Sequence, residues 1–236
     1  MSFPATHLSL IRRVGSGDAD TRSRAQESLA AIYWPAIYAH IRLVHRQQAA
    51  DAEDLTQGFF VDALRRDLFA RYDASRARFR TYVRTCVDSY VANSIQAATR
   101  QKRGGGASFV SIDRADVEAG VATAVESDPD QIFQREWIRS VFSAAVGRLR
   151  ERFHAAQRDV HLAVFERYDL ADSTMARPTY AALAEEHGIP VTQVTNWLAA
   201  TRREYRTIVL ETLRDLTASE EEFRDEAREL LGIAIE

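Results

Sequence analysis

The chain of 236 residues is long enough to bury a hydrophobic core, either as one domain or as two small ones. Its content of 46% hydrophobic and 28% charged residues is typical of a soluble globular protein. No run of about 18 apolar residues occurs, and the first residues lack the apolar core of a signal peptide, so we expect no membrane span and no secretion. Cys86 is the single cysteine, which excludes an internal disulfide and favours a cytoplasmic location.

Apolar residues recur at helical rather than alternating spacing along most of the chain, which predicts an all-α protein. The net charge of −3 hides a segregation of charge. Residues 71–103 contain eight basic and two acidic residues, whereas residues 211–236 contain nine acidic and three basic residues. The first of these segments suits a polyanionic partner and the second does not.

Three helices are predicted in the N-terminal half. Asp18 can cap the first, and Pro35 is expected to kink or restart it. The second follows Asp51, which can cap it, and the third starts near Phe79 and ends before Gly104. The second helix has an apolar stripe that is expected to be buried: Leu55, Phe59, Phe60, Ala63, Leu64 and Leu68.

Residues 104–130 show weak periodicity and many small residues, so we interpret them as a linker. Helical spacing returns in a row of apolar residues four positions apart: Phe133, Trp137, Val141, Ala145, Leu149 and Phe153. The sequence therefore predicts two helical domains, residues 1–103 and 131–215. An acidic amphipathic segment, residues 216–236, follows them and is expected to lie on a basic surface or to support the second domain.

The segment PTYAALAEEHGIPVTQVTNWLAATRREYR, residues 178–206, has the pattern of a helix-turn-helix. Thr179 can cap a short helix, Gly188 can supply the turn, and apolar residues can hold the second helix onto the first. Polar side chains near the start of the second helix can reach base edges in a major groove: Thr192, Gln193, Thr195 and Asn196. Arg202, Arg203 and Arg206 follow at positions suited to phosphates. The alternative is a helical hairpin with a solvated face.

The segment FRTYVRTCVDSYVANSIQAATRQKR, residues 79–103, mixes basic and aromatic side chains along one predicted helix. Its arginines can neutralise phosphates, and Tyr82 and Tyr90 can support or stack on unpaired bases. In the simpler alternative, both tyrosines are core residues and the arginines solvate the outer face. The residues alone leave these two interpretations open.

Nothing in the sequence predicts catalysis, a cofactor or a metal site. Carboxylates at a helix start, such as Asp51, Glu53 and Asp54, diverge around the axis rather than converge on Mg²⁺, although a metal-dependent phosphoryl-transfer enzyme remains a third interpretation. A loop-like segment separates His154 from His161, which weakens a metal site there. The glycines at 104–106 follow no strand and are interpreted as a helix stop rather than a phosphate loop.

The order of these segments resembles the extracytoplasmic-function (ECF) sigma factors, the two-domain promoter-specificity subunits of bacterial RNA polymerase, over residues 10–103 and 128–215. DAEDLTQGFF, residues 51–60, is similar to the acidic segment with which that family docks on the clamp coiled coil of the polymerase β′ subunit. The docking residues implied by this resemblance are Asp51, Glu53, Asp54 and Gln57. Docking of the second domain on the β flap is implied as well.

The resemblance also implies two DNA contacts. Residues 79–103 lie where the family recognises and melts the minus-ten promoter element, which implies contacts from Arg80, Tyr82, Arg84, Ser89, Arg100, Lys102 and Arg103. Residues 179–206 lie where it reads the minus-thirty-five element. The family's Arg-Asn pair in the basic helix falls here on Asp88 and Ser89, so the promoter sequence does not carry over.

DLTQGFF together with QKRGGG is similar to a branch common in planctomycetes, some members of which are associated with Ser/Thr kinases. The resemblance therefore implies core RNA polymerase and promoter DNA as partners, with an anti-sigma factor or a Ser/Thr kinase as a further candidate. Thr56 is a candidate phosphorylation site, against the simpler interpretation of an ordinary helical threonine. The alternative function is a helix-turn-helix regulator that binds duplex DNA without polymerase.

Overall fold

The computed structural model describes residues 9–15, 18–101, 128–171 and 176–232. This part of the chain is all helical and contains no strand, as the apolar spacing predicts. None of its helices combines the length and the apolar character needed to cross a membrane. Most of the predicted linker, together with Lys102 and Arg103, lies outside the described residues.

The helices in chain order are α1 (Leu10–Gly15), α2 (Ala19–Leu43), α3 (Ala49–Arg65), α4 (Phe79–Gln101), α5 (Pro129–Ala155), α6 (Asp159–Phe165), α7 (Tyr180–His187), α8 (Val191–Asp215) and α9 (Glu220–Leu231). A 3₁₀ turn, Phe69–Arg71, precedes α4, and a π-helical turn, Glu166–Leu170, follows α6. The chain forms two compact units. Unit 1 consists of the described residues within 1–141 and 213–236, and unit 2 of those within 142–212.

Two helix starts follow the capping residues that the sequence predicts. The carboxylate of Asp18 accepts a hydrogen bond from the Thr21 N–H at 2.8 Å at the start of α2. The hydroxyl of Thr179 accepts one from the Ala182 N–H at 3.1 Å at the start of α7. Each of these bonds satisfies a backbone donor that has no partner inside its helix.

Two helix starts differ from those expected. Helix α2 continues through Pro35, so of the two expected outcomes the restart does not occur, because buried Tyr33 and Ile37 flank the proline and packing outweighs the lost hydrogen bond. Helix α3 begins at Ala49, so Asp51 lies in its first turn and does not cap it. A carboxylate in that turn still interacts favourably with the helix dipole.

Aromatic side chains from distant parts of the chain form the core of unit 1. The ring centroid of Tyr33 lies 5.7 Å from that of Phe79 and 6.5 Å from that of Trp137, so α2, α4 and α5 meet at this point. Phe223 of α9 is also buried. The unit boundary therefore lies inside α5 rather than at the predicted residue 131, because the first part of its apolar row fills the core of unit 1.

Unit 2 contains the two helices and the turn predicted for residues 178–206. Gly188 ends α7 with a φ of 63°, a left-handed conformation that favours glycine, and α8 begins three residues later. The apolar residues predicted to hold these helices together are buried: Leu183, Val194 and Leu198. This packing determines which side of α8 faces solvent.

Candidate binding surfaces

The N-terminal half of α3 presents a polar outer face. Asp51, Asp54 and Gln57 are exposed, as expected for a docking surface. Glu53 is only 8% exposed, so the prediction that it faces outward is wrong. Residues two apart on a helix lie on nearly opposite sides of the axis, which is why Asp51 and Glu53 cannot both face solvent.

Thr56 is enclosed in unit 1. It has no exposed surface, and its hydroxyl donates a hydrogen bond to the Ala52 carbonyl oxygen at 2.6 Å. A kinase cannot reach this hydroxyl in the folded unit. The structure therefore contradicts Thr56 as a phosphorylation site and agrees with the interpretation as a helical core threonine.

Apolar side chains extend the exposed face of α3. Val61 is 61% exposed and Leu64 is 40% exposed, so the expectation that Leu64 is buried is wrong. Val61 was missed by the sequence analysis, although its helical spacing from Asp54 places both on the same side. We call the five residues Asp51, Asp54, Gln57, Val61 and Leu64 the α3 face. Its carboxylates and apolar groups suit a protein partner that is both basic and partly apolar.

Carboxylates of α9 form ion pairs with the arginine just before α4 and with the first arginine inside it. Arg80 Nε lies 2.9 Å from Glu226 Oε1, and Arg80 Nη2 lies 2.9 Å from Glu229 Oε1. The Arg80 side chain is 11% exposed and stacks over the ring of Trp137. Arg78 also pairs with Glu229. Arg80 is therefore not presented to solvent, contrary to its predicted role as an open phosphate contact.

Buried contacts fix α9 in this position. Glu222 accepts a hydrogen bond at 2.6 Å from the backbone N–H of Phe79, the first residue of α4, and one at 3.2 Å from the hydroxyl of Tyr72. Phe223 and Ala227 are buried on the same side of α9. The acidic C-terminal segment thus lies on a basic surface, which is one of its two predicted placements.

The ionisation of Glu226 links the stability of unit 1 to pH. Burial raises the pKa of Glu226 to about 7, although Arg80 and Arg78 oppose this shift. A raised pKa in the folded state means that protonation stabilises the fold, and that this stabilisation is lost as the pH rises through about 7. When the pH is raised from about 5.5 to about 8, we expect the free energy of unfolding of the wild type to fall by about 2 kcal/mol more than that of Glu226→Gln. Urea denaturation of both proteins measures this difference, and equal pH dependence would contradict it.

The next arginine of α4 is also paired. Arg84 forms an ion pair with Asp130 at the start of α5 and is 22% exposed. With Arg78 and Arg80 it lines a groove of about 430 Å³ whose wall includes Phe133. The groove contains three guanidinium groups and an aromatic ring, but carboxylates already neutralise these cations.

The tyrosines of α4 are structural anchors. Tyr82 donates its hydroxyl to the Leu68 carbonyl oxygen at 2.9 Å, and burial raises the pKa of Tyr82 to about 12. The Tyr90 ring lies 5.8 Å from Phe59 in an edge-to-face contact. The alternative in which both are core residues therefore describes them better than a role as open stacking platforms.

Small polar residues form the exposed side of α4. Ser89 is exposed as predicted, and its hydroxyl donates to the Thr85 carbonyl oxygen at 3.0 Å. Asn93, one turn later on the same side, is exposed as well and was missed, although its spacing from Ser89 indicates it. Arg100 lies in the last turn of α4. Beyond it, Lys102 and Arg103 are outside the described residues.

The exposed side of α8 carries most of the predicted helix-turn-helix contacts. Thr192, Thr195 and Asn196 are exposed at its start, whereas Gln193 is half-buried. Further along the same side are the exposed Arg203 and Arg206, which helical spacing aligns with the polar residues. We call this set the α8 stripe: Thr192, Thr195, Asn196, Arg203 and Arg206. It places hydrogen-bonding groups ahead of two positive charges, an order suited to bases and phosphates.

Arg202 does not belong to this stripe. Its Nε and Nη2 atoms donate to the two carboxylate oxygens of Asp169 at 2.8 and 2.9 Å. The predicted phosphate contact is therefore held in a bidentate ion pair, and such a pair limits the freedom of the guanidinium. Trp197 stacks on His161 with the ring centroids 3.9 Å apart, which makes packing its role.

These surfaces are the basis for a functional assignment, because comparison with known proteins adds none. No family model, curated protein or solved structure matches the chain. What the chain binds is therefore inferred from its own residues.

Proposed function

We propose that the chain is a sigma factor of the ECF type, which binds core RNA polymerase and directs it to a subset of promoters. The observation that carries this proposal is the α8 stripe, presented by a helix-turn-helix in a chain that also carries the α3 face. A duplex-DNA reader needs only the first of these surfaces. A polymerase subunit needs both.

Each surface has a distinct role in the proposed function. The α3 face binds the basic clamp coiled coil of the β′ subunit, with Asp51 and Asp54 opposite cations and Val61 on apolar surface. The α8 stripe contacts bases and phosphates of the minus-thirty-five element in the major groove. The exposed side of α4, with Ser89 and Asn93, faces the minus-ten element. Strand separation is then driven by binding of the exposed strand and by the polymerase, without chemistry by this chain.

The pairing of α9 with α4 has a consequence for minus-ten recognition. In the proposed function, Arg80 and Arg78 would contact the same phosphates whose charge Glu226 and Glu229 now mimic. DNA contact through these arginines therefore requires α9 to leave them. The contribution of these two arginines to the minus-ten interaction is masked until α9 is displaced.

The proposal is tested with the purified chain and core polymerase. We expect the two to co-elute and the mixture to produce defined transcripts from genomic fragments that core polymerase alone does not start. A helix-turn-helix regulator is the second candidate, because the α8 stripe is open while Arg80 and Arg84 are paired. Tight sequence-specific duplex binding without any polymerase complex would favour that alternative.

Arg203→Ala combined with Arg206→Ala is expected to weaken binding of the chain to duplex promoter DNA at all sequences. Loss of two phosphate contacts should lower the slope of log affinity against log salt by about 2. Fluorescence anisotropy at several salt concentrations measures this slope. Arg167→Ala, an exposed arginine elsewhere in unit 2, is the control and should leave the slope unchanged. An unchanged slope in the double variant would exclude the α8 stripe as the phosphate-binding surface.

A further inference from the structure

Two histidines and one aspartate of unit 1 converge on a single oxygen atom. Nε2 of His40 lies 2.7 Å, and Nε2 of His45 lies 2.8 Å, from Oδ1 of Asp88. The three potential ligand atoms all lie within 4.8 Å of one another. The His40 side chain is 1% exposed, whereas those of His45 and Asp88 are 21% and 44% exposed. The cluster is thus enclosed on one side and open to solvent on the other.

The end of α2 and the middle of α4 bring these residues together. His40 lies in the last turn of α2, and the chain then turns at Arg46, which has a φ of 53°. This left-handed conformation costs a non-glycine residue about 1 kcal/mol, so other contacts must hold the turn. One is the hydrogen bond from Gln47 Nε2 to the His45 carbonyl oxygen at 2.7 Å. The turn places the His45 ring 5.4 Å from the His40 ring, at an angle of 75°.

We propose that His40, His45 and Asp88 form a binding site for a transition-metal cation of the Zn²⁺ class, with water as the fourth ligand. Two imidazole nitrogens and one carboxylate oxygen are a ligand set typical of zinc, and the open side of the cluster leaves room for water. The inference does not depend on the proposed function. It assigns a metal-binding role to Asp88 that the sequence did not predict, since the residues considered there for metal were Asp51, Glu53 and Asp54 for Mg²⁺ and the pair His154 and His161.

The present geometry needs little change to admit the ion. Zinc–nitrogen and zinc–oxygen bonds of about 2.0–2.2 Å place tetrahedral ligands about 3.3 Å apart, so each Nε2 must withdraw from Oδ1 by about half an ångström. The ion takes the place of the protons that the two rings now share with the carboxylate. Each neutral ring moves its proton from Nε2 to Nδ1, so no net proton is released. His45 and Asp88, which are partly exposed, can make this adjustment.

The surroundings of His40 set the expected affinity. Its Nδ1 atom is buried and has no hydrogen-bond partner. Histidines that bind metals normally donate this second N–H to a carbonyl or carboxylate, and losing that contact weakens binding about 10–100-fold. We therefore expect a dissociation constant of about 1 μM, weaker than that of structural zinc sites.

Isothermal titration of the full chain with Zn²⁺ tests the proposal. We expect one zinc ion per chain in the wild type, and no binding of Mg²⁺, which prefers oxygen ligands in octahedral geometry. His45→Ala and Asp88→Asn should each weaken zinc binding by at least about tenfold. Asp88→Asn keeps an oxygen acceptor at this position, so its fold should be preserved, and circular dichroism verifies this for both variants.

The matched control is His154→Ala. His154 pairs with Asp159 at 3.0 Å, with side chains 85% and 62% exposed, so this pair offers the same residue types without a second imidazole. Its loss should leave zinc binding unchanged. Cobalt(II) gives a second readout, since four-coordinate cobalt absorbs strongly in the visible range, and this absorption should disappear in His45→Ala. The proposal is overturned if the wild type, His45→Ala and Asp88→Asn bind zinc with equal affinity. It is also overturned if the wild type does not bind zinc at about 100 μM, a hundredfold excess over the expected dissociation constant.

Discussion

Asp54→Arg is expected to abolish the proposed binding to core RNA polymerase while leaving unit 1 folded. Asp54 is exposed near the centre of the acidic part of the α3 face. Charge reversal there removes an attraction and places a cation opposite the basic surface of the partner, a juxtaposition that costs several kcal/mol. We expect affinity to fall by more than about 100-fold, which corresponds to about 2.7 kcal/mol. Anisotropy titration of the labelled chain with core polymerase measures this change.

Two comparison variants make this result specific. Glu27→Arg introduces the same charge change at an exposed position of α2 and should leave polymerase affinity nearly unchanged. Val61→Ser removes exposed apolar surface without changing charge, and we expect an intermediate loss of affinity. Polymerase binding by Asp54→Arg at the wild-type level would show that the α3 face is not the docking surface.

Replacing Glu226 and Glu229 together by glutamine is expected to release α9 from α4 and to increase affinity for single-stranded minus-ten DNA in the polymerase complex. Loss of the charge on Glu226 alone is tolerated because ionised Glu229 still pairs with Arg80. The double change leaves the nearly buried Arg80 without any carboxylate, and an unpaired buried charge is strongly unfavourable. Departure of α9 relieves this cost and frees the guanidinium groups for phosphates. We expect about a tenfold gain in DNA affinity, measured by anisotropy with the single-stranded fragment.

The control lies on the same helix. Glu221 is exposed in the first turn of α9, and Glu221→Gln makes the identical chemical change on its outer side. It should alter neither DNA affinity nor the hydrogen exchange of α9. Faster exchange of α9 amides in the double variant shows that the helix has been released. Release of α9 without a gain in DNA affinity would exclude masking by this helix.

Local signals in the sequence predict much of this fold. Asp18 and Thr179 cap helices because each side-chain oxygen accepts a hydrogen bond from a free backbone N–H three residues later. This interaction is local and does not depend on the rest of the fold. Gly188 predicts the turn because α7 ends in a left-handed backbone conformation, which glycine adopts more readily than other residues. The buried row of α5 follows from helical spacing alone, although the spacing does not indicate that the row serves two cores.

The candidate sites were less predictable because they depend on pairings between distant residues. The spacing of basic residues identifies Arg80 as a cation, but its availability depends on Glu229, which lies 149 residues away in the sequence. In the proposed metal site, Asp88 lies 48 residues beyond His40 in the sequence. The two histidines, His40 and His45, lie on either side of the end of α2, so no motif spacing indicates the cluster. Leu64 was predicted to be buried but is exposed. Helical spacing shows where the centre of an apolar stripe lies, whereas tertiary packing decides which residues at its margin are buried.

The arrangement of unit 1 along the chain has a consequence for the order of its assembly. Synthesis proceeds from the N-terminus, so α4 leaves the ribosome long before α9 does. Until α9 is made, Arg78 and Arg80 lack the carboxylates that later neutralise them, and Phe223 is missing from the core. The nascent chain therefore passes through a stage in which these arginines have no carboxylate partners from α9. This stage ends only when α9, the last described helix, has been synthesised and has packed onto α4.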